Sequence, residues 1–137
     1  MEVGNIMLYR KNSETGFLEN EIGIFNFQEK SKYISKVYLE NIEGKDLLTI
    51  WLTLDKEILN WEFEAIADCY EEEKLEALGA KVVFLEEEYS PTWEMKIDSP
   101  EGFGDIESLL EKVIEVHEKE LLETLEYISD KEEEYKE

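Results

Sequence analysis

Residues 105–128 read DIESLLEKVIEVHEKELLETLEYI, and the spacing of their apolar members decides the architecture. Ile106, Leu110, Val113, Leu121, Thr124 and Ile128 recur at helical intervals, and Leu109, Ile114 and Leu125 widen the stripe. That period predicts an amphipathic helix. Asp105, which follows Pro100, Gly102 and Gly104, is placed to cap its start. About 24 residues at 1.5 Å each reach about 36 Å, enough to cross a small sheet. The opposite face carries Glu107, Glu111, Glu115, Glu118, Glu123 and Glu126.

Upstream of this helix the period falls to two. From Asp46 onward Leu48, Ile50, Leu52 and Leu54 share one face and Leu47, Thr49, Trp51 and Thr53 the other, which predicts a strand. Residues 5–10 and about 22–28 predict two more, the second with Phe25 and Phe27 on one face, Ile22 and Ile24 on the other, and both faces buried. Residues 32–42 fit either period, and their Tyr and β-branched content favours a strand.

After an expected turn at Asp55-Lys56-Glu57, Trp61, Phe63, Ala65 and Ala67 alternate with Glu62, Glu64 and Ile66, predicting a half-solvated antiparallel strand over 58–67. Asp68 is read as the N-cap of a short helix through Leu78, with Gly79 at its left-handed end. A hairpin follows, with Val82–Leu85 on one arm, Ser90 and Pro91 at the turn, and Trp93, Met95 and Ile97 alternating on the other. Trp61-Glu62-Phe63-Glu64 and Trp93-Glu94-Met95-Lys96 thus occupy equivalent places, by common strand grammar more readily than by duplication.

Together these readings predict an α+β fold. It is an antiparallel β-meander of six or seven strands with a short inserted helix, and a long C-terminal helix packs across one face above Trp61, Phe63, Trp93 and Met95. Residues 1–130 are expected to make one domain, and 131–137 a loose, disordered acidic tail.

The 137 residues hold 36 Asp and Glu against 14 Lys and Arg, a net charge of −22. Residues 61–137 account for 26 of the acids and 7 of the bases (7 − 26 = −19). A field of this sign repels nucleic acid and acidic membranes and attracts basic proteins. Arg10 is the sole arginine, so the bidentate clamp usual for phosphate or carboxylate ligands is nearly absent. No run approaches a membrane span, Met1-Glu2-Val3-Gly4 has no signal-peptide character, and the single cysteine, Cys69, fits a reducing compartment. A cytosolic location is expected.

No pattern in the chain assigns a catalytic, cofactor-binding or metal-binding residue. His117 lies on or beside the apolar stripe, where a packed histidine is the ordinary case and a general base would need a pocket and an orienting carboxylate. Cys69 beside Tyr70 lies in no recognised nucleophile signature. The Glu triplets 71–73, 86–88 and 132–134 lack the EF-hand order, and Glu86, Glu87 and Glu88 at the hairpin are the best placed if a cation binds. Gly102-Phe103-Gly104 is too short for a phosphate loop. Trp51, Trp61, Trp93, Tyr89 and Phe103 are expected mainly in the core.

Thr15-Gly16-Phe17-Leu18-Glu19, Trp61-Glu62-Phe63 with Ala65-Ile66, and Pro91-Thr92-Trp93-Glu94 resemble a family of small acidic clostridial proteins of unknown function. The resemblance implies a bacterial cytosolic origin and carries no residue role. The leading expectation is a non-enzymatic interaction or regulatory module with an acidic face, a basic protein partner and the capacity to form a homo-oligomer. One alternative is a nucleic-acid mimic that blocks a basic DNA-binding protein, although a 36 Å helix would need about 20 acids to match a duplex. Another is an enzyme or small-ligand binder built from His117, Cys69, Glu62 and Glu64 near the aromatics.

Overall fold

The computed structural model describes residues 5–54 and 56–135; residues 1–4, Asp55 of the expected turn and the last two residues of the acidic tail lie outside the described residues. In chain order come β1 (Asn5–Lys11), β2 (Leu18–Asn26), a 3-10 turn (Gln28–Tyr33), β3 (Ile34–Ile42) and β4 (Lys45–Leu52). Then follow α1 (Asn60–Cys69), α2 (Glu73–Glu76), β5 (Lys81–Phe84), β6 (Trp93–Asp98), α3 (Phe103–Ile128) and α4 (Glu132–Tyr135).

The described strands form one sheet of six in the order β2-β1-β3-β4-β6-β5. This mixed α+β arrangement departs from the expected meander in two places. β1 pairs in parallel with β3, because the chain leaves the edge strand β2 through the 3-10 turn and re-enters on the other side of β1. β4 and β5 are both antiparallel to β6 and therefore parallel to each other, joined through α1 and α2 with β6 inserted between them. This is a split β-α-β unit.

The strand expected over 58–67 is helix α1. Alternation of Trp61 and Phe63 suggested period two, but the residues that meet the core, Ile58, Trp61, Ala65, Ile66 and Cys69, recur at three and four. Glu62, Glu64, Ala65 and Ala67 are strong helix formers. The Glu62 carboxylate accepts the Leu59 backbone N–H at 3.1 Å, half of a capping box that apolar Leu59 cannot reciprocate. Trp61 and Phe63 therefore lie on a helix and not on the sheet. Asp68 falls within α1 and caps nothing, while Gly79, at φ +97°, does close the short α2 segment.

The C-terminal helix is as expected in kind and slightly longer, 26 residues from Phe103. Gly102 takes the N-cap position, and Asp105 sits in the first turn, where its charge complements the helix dipole. Its buried face, Ile106, Leu110, Val113, Ile114, His117, Leu121 and Ile128, meets the sheet face of Ile6, Leu8, Val37, Leu48, Ile50, Leu52, Trp93, Met95 and Ile97 in one core. Fully burying side chains of this size stabilises by about 1.5–3 kcal/mol each before the entropy of ordering them is subtracted.

Gly23 shows how closely the edge is packed. A Cβ there would come within 2.3 Å of the Phe103 ring, which stacks on Phe25 at 4.4 Å. The expectation that both faces of β2 are buried does not hold: β2 is an edge strand, and of its side chains only Phe25 is buried. Among the described residues no helix lies on the other sheet face, which is open toward its edges, where Ile24 and Val83 are 53% and 55% exposed, while Tyr38 and Thr49 at its centre are buried.

Candidate functional site

His117 projects from α3 into the core, one turn from Val113 and one from Leu121. Its Nε2 lies 2.8 Å from the Thr53 carbonyl oxygen, an acceptor only, so Nε2 carries the proton. Nδ1 must then accept, and the Tyr70 hydroxyl donates to it at 2.8 Å. The Tyr33 and Trp93 rings pack against the imidazole edge-on at 5.7 and 5.4 Å, and Trp93 also stacks on Tyr70 at 4.1 Å. Burial pushes the His117 pKa down to about 4 against the opposing hydrogen bond to Thr53, and burial pushes the Tyr70 phenol up. At neutral pH the imidazole is uncharged and both its nitrogens are engaged. It clamps α3 to the end of β4 and offers no lone pair to a substrate.

Cys69 does not pair with this histidine. Its neighbour Tyr70 reaches the imidazole instead, and Cys69 lines a cavity of about 490 Å³ with Asp68, Glu71, Glu120, Glu123 and Tyr127. Beside that cavity lies the densest charge cluster of the helical layer. Lys74 on α2 places Nζ 3.5 Å from Glu71, 2.8 Å from Glu120 and 3.2 Å from Glu123. Glu120 is buried. One of its oxygens accepts the Glu71 backbone N–H at 3.0 Å and the Thr124 hydroxyl at 3.3 Å, and the other takes no aligned hydrogen bond and is held by the Lys74 charge. The close pairing with Glu120, and after it the hydrogen bond to Glu123, raises the Lys74 pKa. Three carboxylates around one ammonium thus hold α2 against α3.

Arg10 lies elsewhere, on the wall of a cavity of about 750 Å³ shared with Ile22, Asp46 and Phe103. Its guanidinium makes a bidentate pair with Asp46 at 3.1 and 3.2 Å, tying β1 to β4 across β3, and Asp46 is held below the usual carboxylate range by it. The one arginine is committed to the fold.

Residues 1–136 match DUF6762, a family of unknown function. The chain belongs to that family. Comparisons with curated proteins and with solved structures returned no significant match. The resemblance expected from the three short segments is met at this level, a family without an assigned activity.

In this DUF6762 chain the remaining candidates are dispersed. Glu62 caps α1, and Glu64 lines a separate cavity of about 370 Å³ with Phe63, Phe84 and Tyr135. Trp93 is core, Trp61 packs on it from α1, and Trp51 lies on the open sheet face with its indole N–H donated to Glu94 at 3.1 Å. Tyr89 is fully exposed and Phe103 partly so. Glu86, Glu87 and Glu88 are exposed in the hairpin loop, and among the described residues no group of three or more His, Cys, Asp or Glu is arranged to hold a metal ion. No helix among them is long and apolar enough to cross a membrane.

Sequence reading missed Tyr70, Thr53, Lys74 and Glu120. Glu120 carried a signal: at helical spacing it falls on the buried side of α3, between His117 and Leu121, where an acid needs a partner.

Proposed function

We propose that the protein is a non-enzymatic cytosolic interaction module whose acidic helical layer receives a basic partner. The observation that carries this is the partition of charge between its two layers. The helices α1–α4 hold 16 Asp and Glu against 3 Lys (3 − 16 = −13), whereas the six strands hold 6 of each sign. Such a one-sided field steers and retains cationic surfaces. The seat of Lys74 among three carboxylates supports the same reading, since it shows an ammonium group held in this layer. The non-enzymatic part is supported by His117, which has no nitrogen free for proton transfer. A free cysteine fits a reducing cytosol, and the resemblance to clostridial proteins supports a bacterial one.

A duplex mimic is less well supported. α3 carries 8 acids over its 26 residues, about 39 Å, where B-form DNA would present about 23 charges. The test compares wild type with a Glu107→Gln, Glu111→Gln, Glu115→Gln, Glu118→Gln variant in pull-downs at low salt. A basic protein retained by the wild type and lost from the variant is the expected result. Equal retention by both, or none by either, would remove the acidic layer from the function.

A further inference from the structure

We propose that the open face of the sheet is the docking surface for a second copy of this chain. The helical layer, at −13, repels its own copy, while the strands carry balanced charge. The open face is therefore the broad surface on which two copies can meet without that penalty.

Its pattern is self-complementary. Glu21, Tyr9, Tyr38, Thr49, Lys96 and Lys81 stand in one register row that runs from the β2 edge to the β5 edge. An acid ends the row on one side, two lysines end it on the other, and two tyrosines and a threonine lie between. A two-fold axis in the interface, parallel to the strands, lays this row on its own reverse. Glu21 then faces Lys81 and Tyr9 faces Lys96, on either side of a centre where Tyr38 and Thr49 are buried within each chain. The first pairing is ionic, and the second sets an ammonium over an aromatic ring, an arrangement this face already uses within one chain. Lys36 sits 4.0 Å from the centre of the Trp51 ring, and Lys11 5.4 Å from that of Tyr38.

The contact would also cover Ile24 and Val83. Packed sheets lie about 10 Å apart. Each helical layer would sit on the far side of its own sheet, so the two acidic layers are separated by well over the screening length of about 8 Å at 0.15 M salt.

This inference is independent of the basic-partner reading, which concerns the opposite face. Sedimentation of the full chain at 0.15 M sodium chloride, from about 1 to about 100 μM, tests it. The expected species has twice the 16.2 kDa mass of the chain. Lys81→Glu and Glu21→Lys, both at exposed positions, should each weaken dimerisation at least about tenfold, and the two together should restore it. A monomer at the highest concentration would overturn the proposal, including the case where a different protein covers this face. A dimer that ignores the single substitutions, or a double variant as weak as either single one, would overturn it equally.

Discussion

Trp61-Glu62-Phe63-Glu64 and Trp93-Glu94-Met95-Lys96 place the same types of side chain in the same order, yet the first is the opening turn of α1 and the second is most of β6. In β6 the alternation is real. Trp93 and Met95 point into the core, while Glu94 accepts from the Trp51 indole on the open face and Lys96 lies near it at 3.8 Å. In α1 it is incidental. Glu62 turns back to cap the helix, Trp61 and Phe63 are half-buried, and the deepest residues are Ala65 and Ile66 one turn later. Four residues of pattern weigh less than the flanking context. β6 is held by ladders to β4 and β5 on both sides, whereas the 58–67 segment is rich in helix formers.

The largest consequence falls on the two tryptophans. Trp93→Ala removes a ring packed between Tyr70, Phe84 and His117 and should cost about 3–5 kcal/mol in urea denaturation. Trp61→Ala, at the edge of the core, should cost less by at least about 1.5 kcal/mol. Equal losses would mean that the two segments bear on the core alike, and the contrast between them would fail.

Protonation of His117 sharpens the same contrast, because Trp93 packs on this imidazole and Trp61 does not. The unfolded histidine titrates near its ordinary pKa of about 6.5 and the folded one at about 4, so between those values the unfolded chain binds more protons. The stability this neutral clamp contributes is complete above about pH 6.5. It is lost as pH falls toward 4, to a total of about 3 kcal/mol. His117 is the sole histidine, so one ring-proton signal in an NMR titration reads its pKa directly. A midpoint near 6.5 would place it in water and break the clamp.

Ala67 tests the helical state of the first segment by the sign of the effect. It is exposed within α1, so Ala67→Gly should cost about 1 kcal/mol and Ala67→Thr about 0.5 kcal/mol. In a strand, threonine would be the better residue and the second change would stabilise. Smaller still is Glu62→Ala, which deletes the cap on Leu59 and should lower stability by about 0.5 kcal/mol with no change in far-UV circular dichroism. A loss of helical signal would show that α1 depends on that cap more than on its packing.

How much was legible follows from how local each feature is. The stripe of α3 repeats over 26 residues, so errors at single positions average out. The alternation of β4 and of β6 is equally plain, whereas residues 32–42 fit either period and only their Tyr and β-branched content pointed to the strand found at 34–42. α1 was misread because Trp61 and Phe63 dominate a short window, and the correct signal lay in smaller residues, Ala65 and Ile66. The site-like features were the least legible. Tyr70 and Thr53 lie 47 and 64 positions from His117, and Glu120 stands 49 from the Glu71 amide it accepts. No window-based pattern spans such separations.

Composition and period, which are properties of residues and their neighbours, determined by themselves an acidic chain of α+β class, the long amphipathic helix and the strands that alternate cleanly. Strand order, the parallel β1–β3 pair and the split β-α-β unit came from the tertiary structure, because a strand chooses its neighbours by which arrangement buries its apolar face, and that depends on elements far away in sequence. The role of His117 was decided in the same way. The chain supplies one imidazole on an apolar stripe, and only the folded core, by bringing Tyr70 and the Thr53 carbonyl to its two nitrogens and excluding water, makes it a neutral clamp.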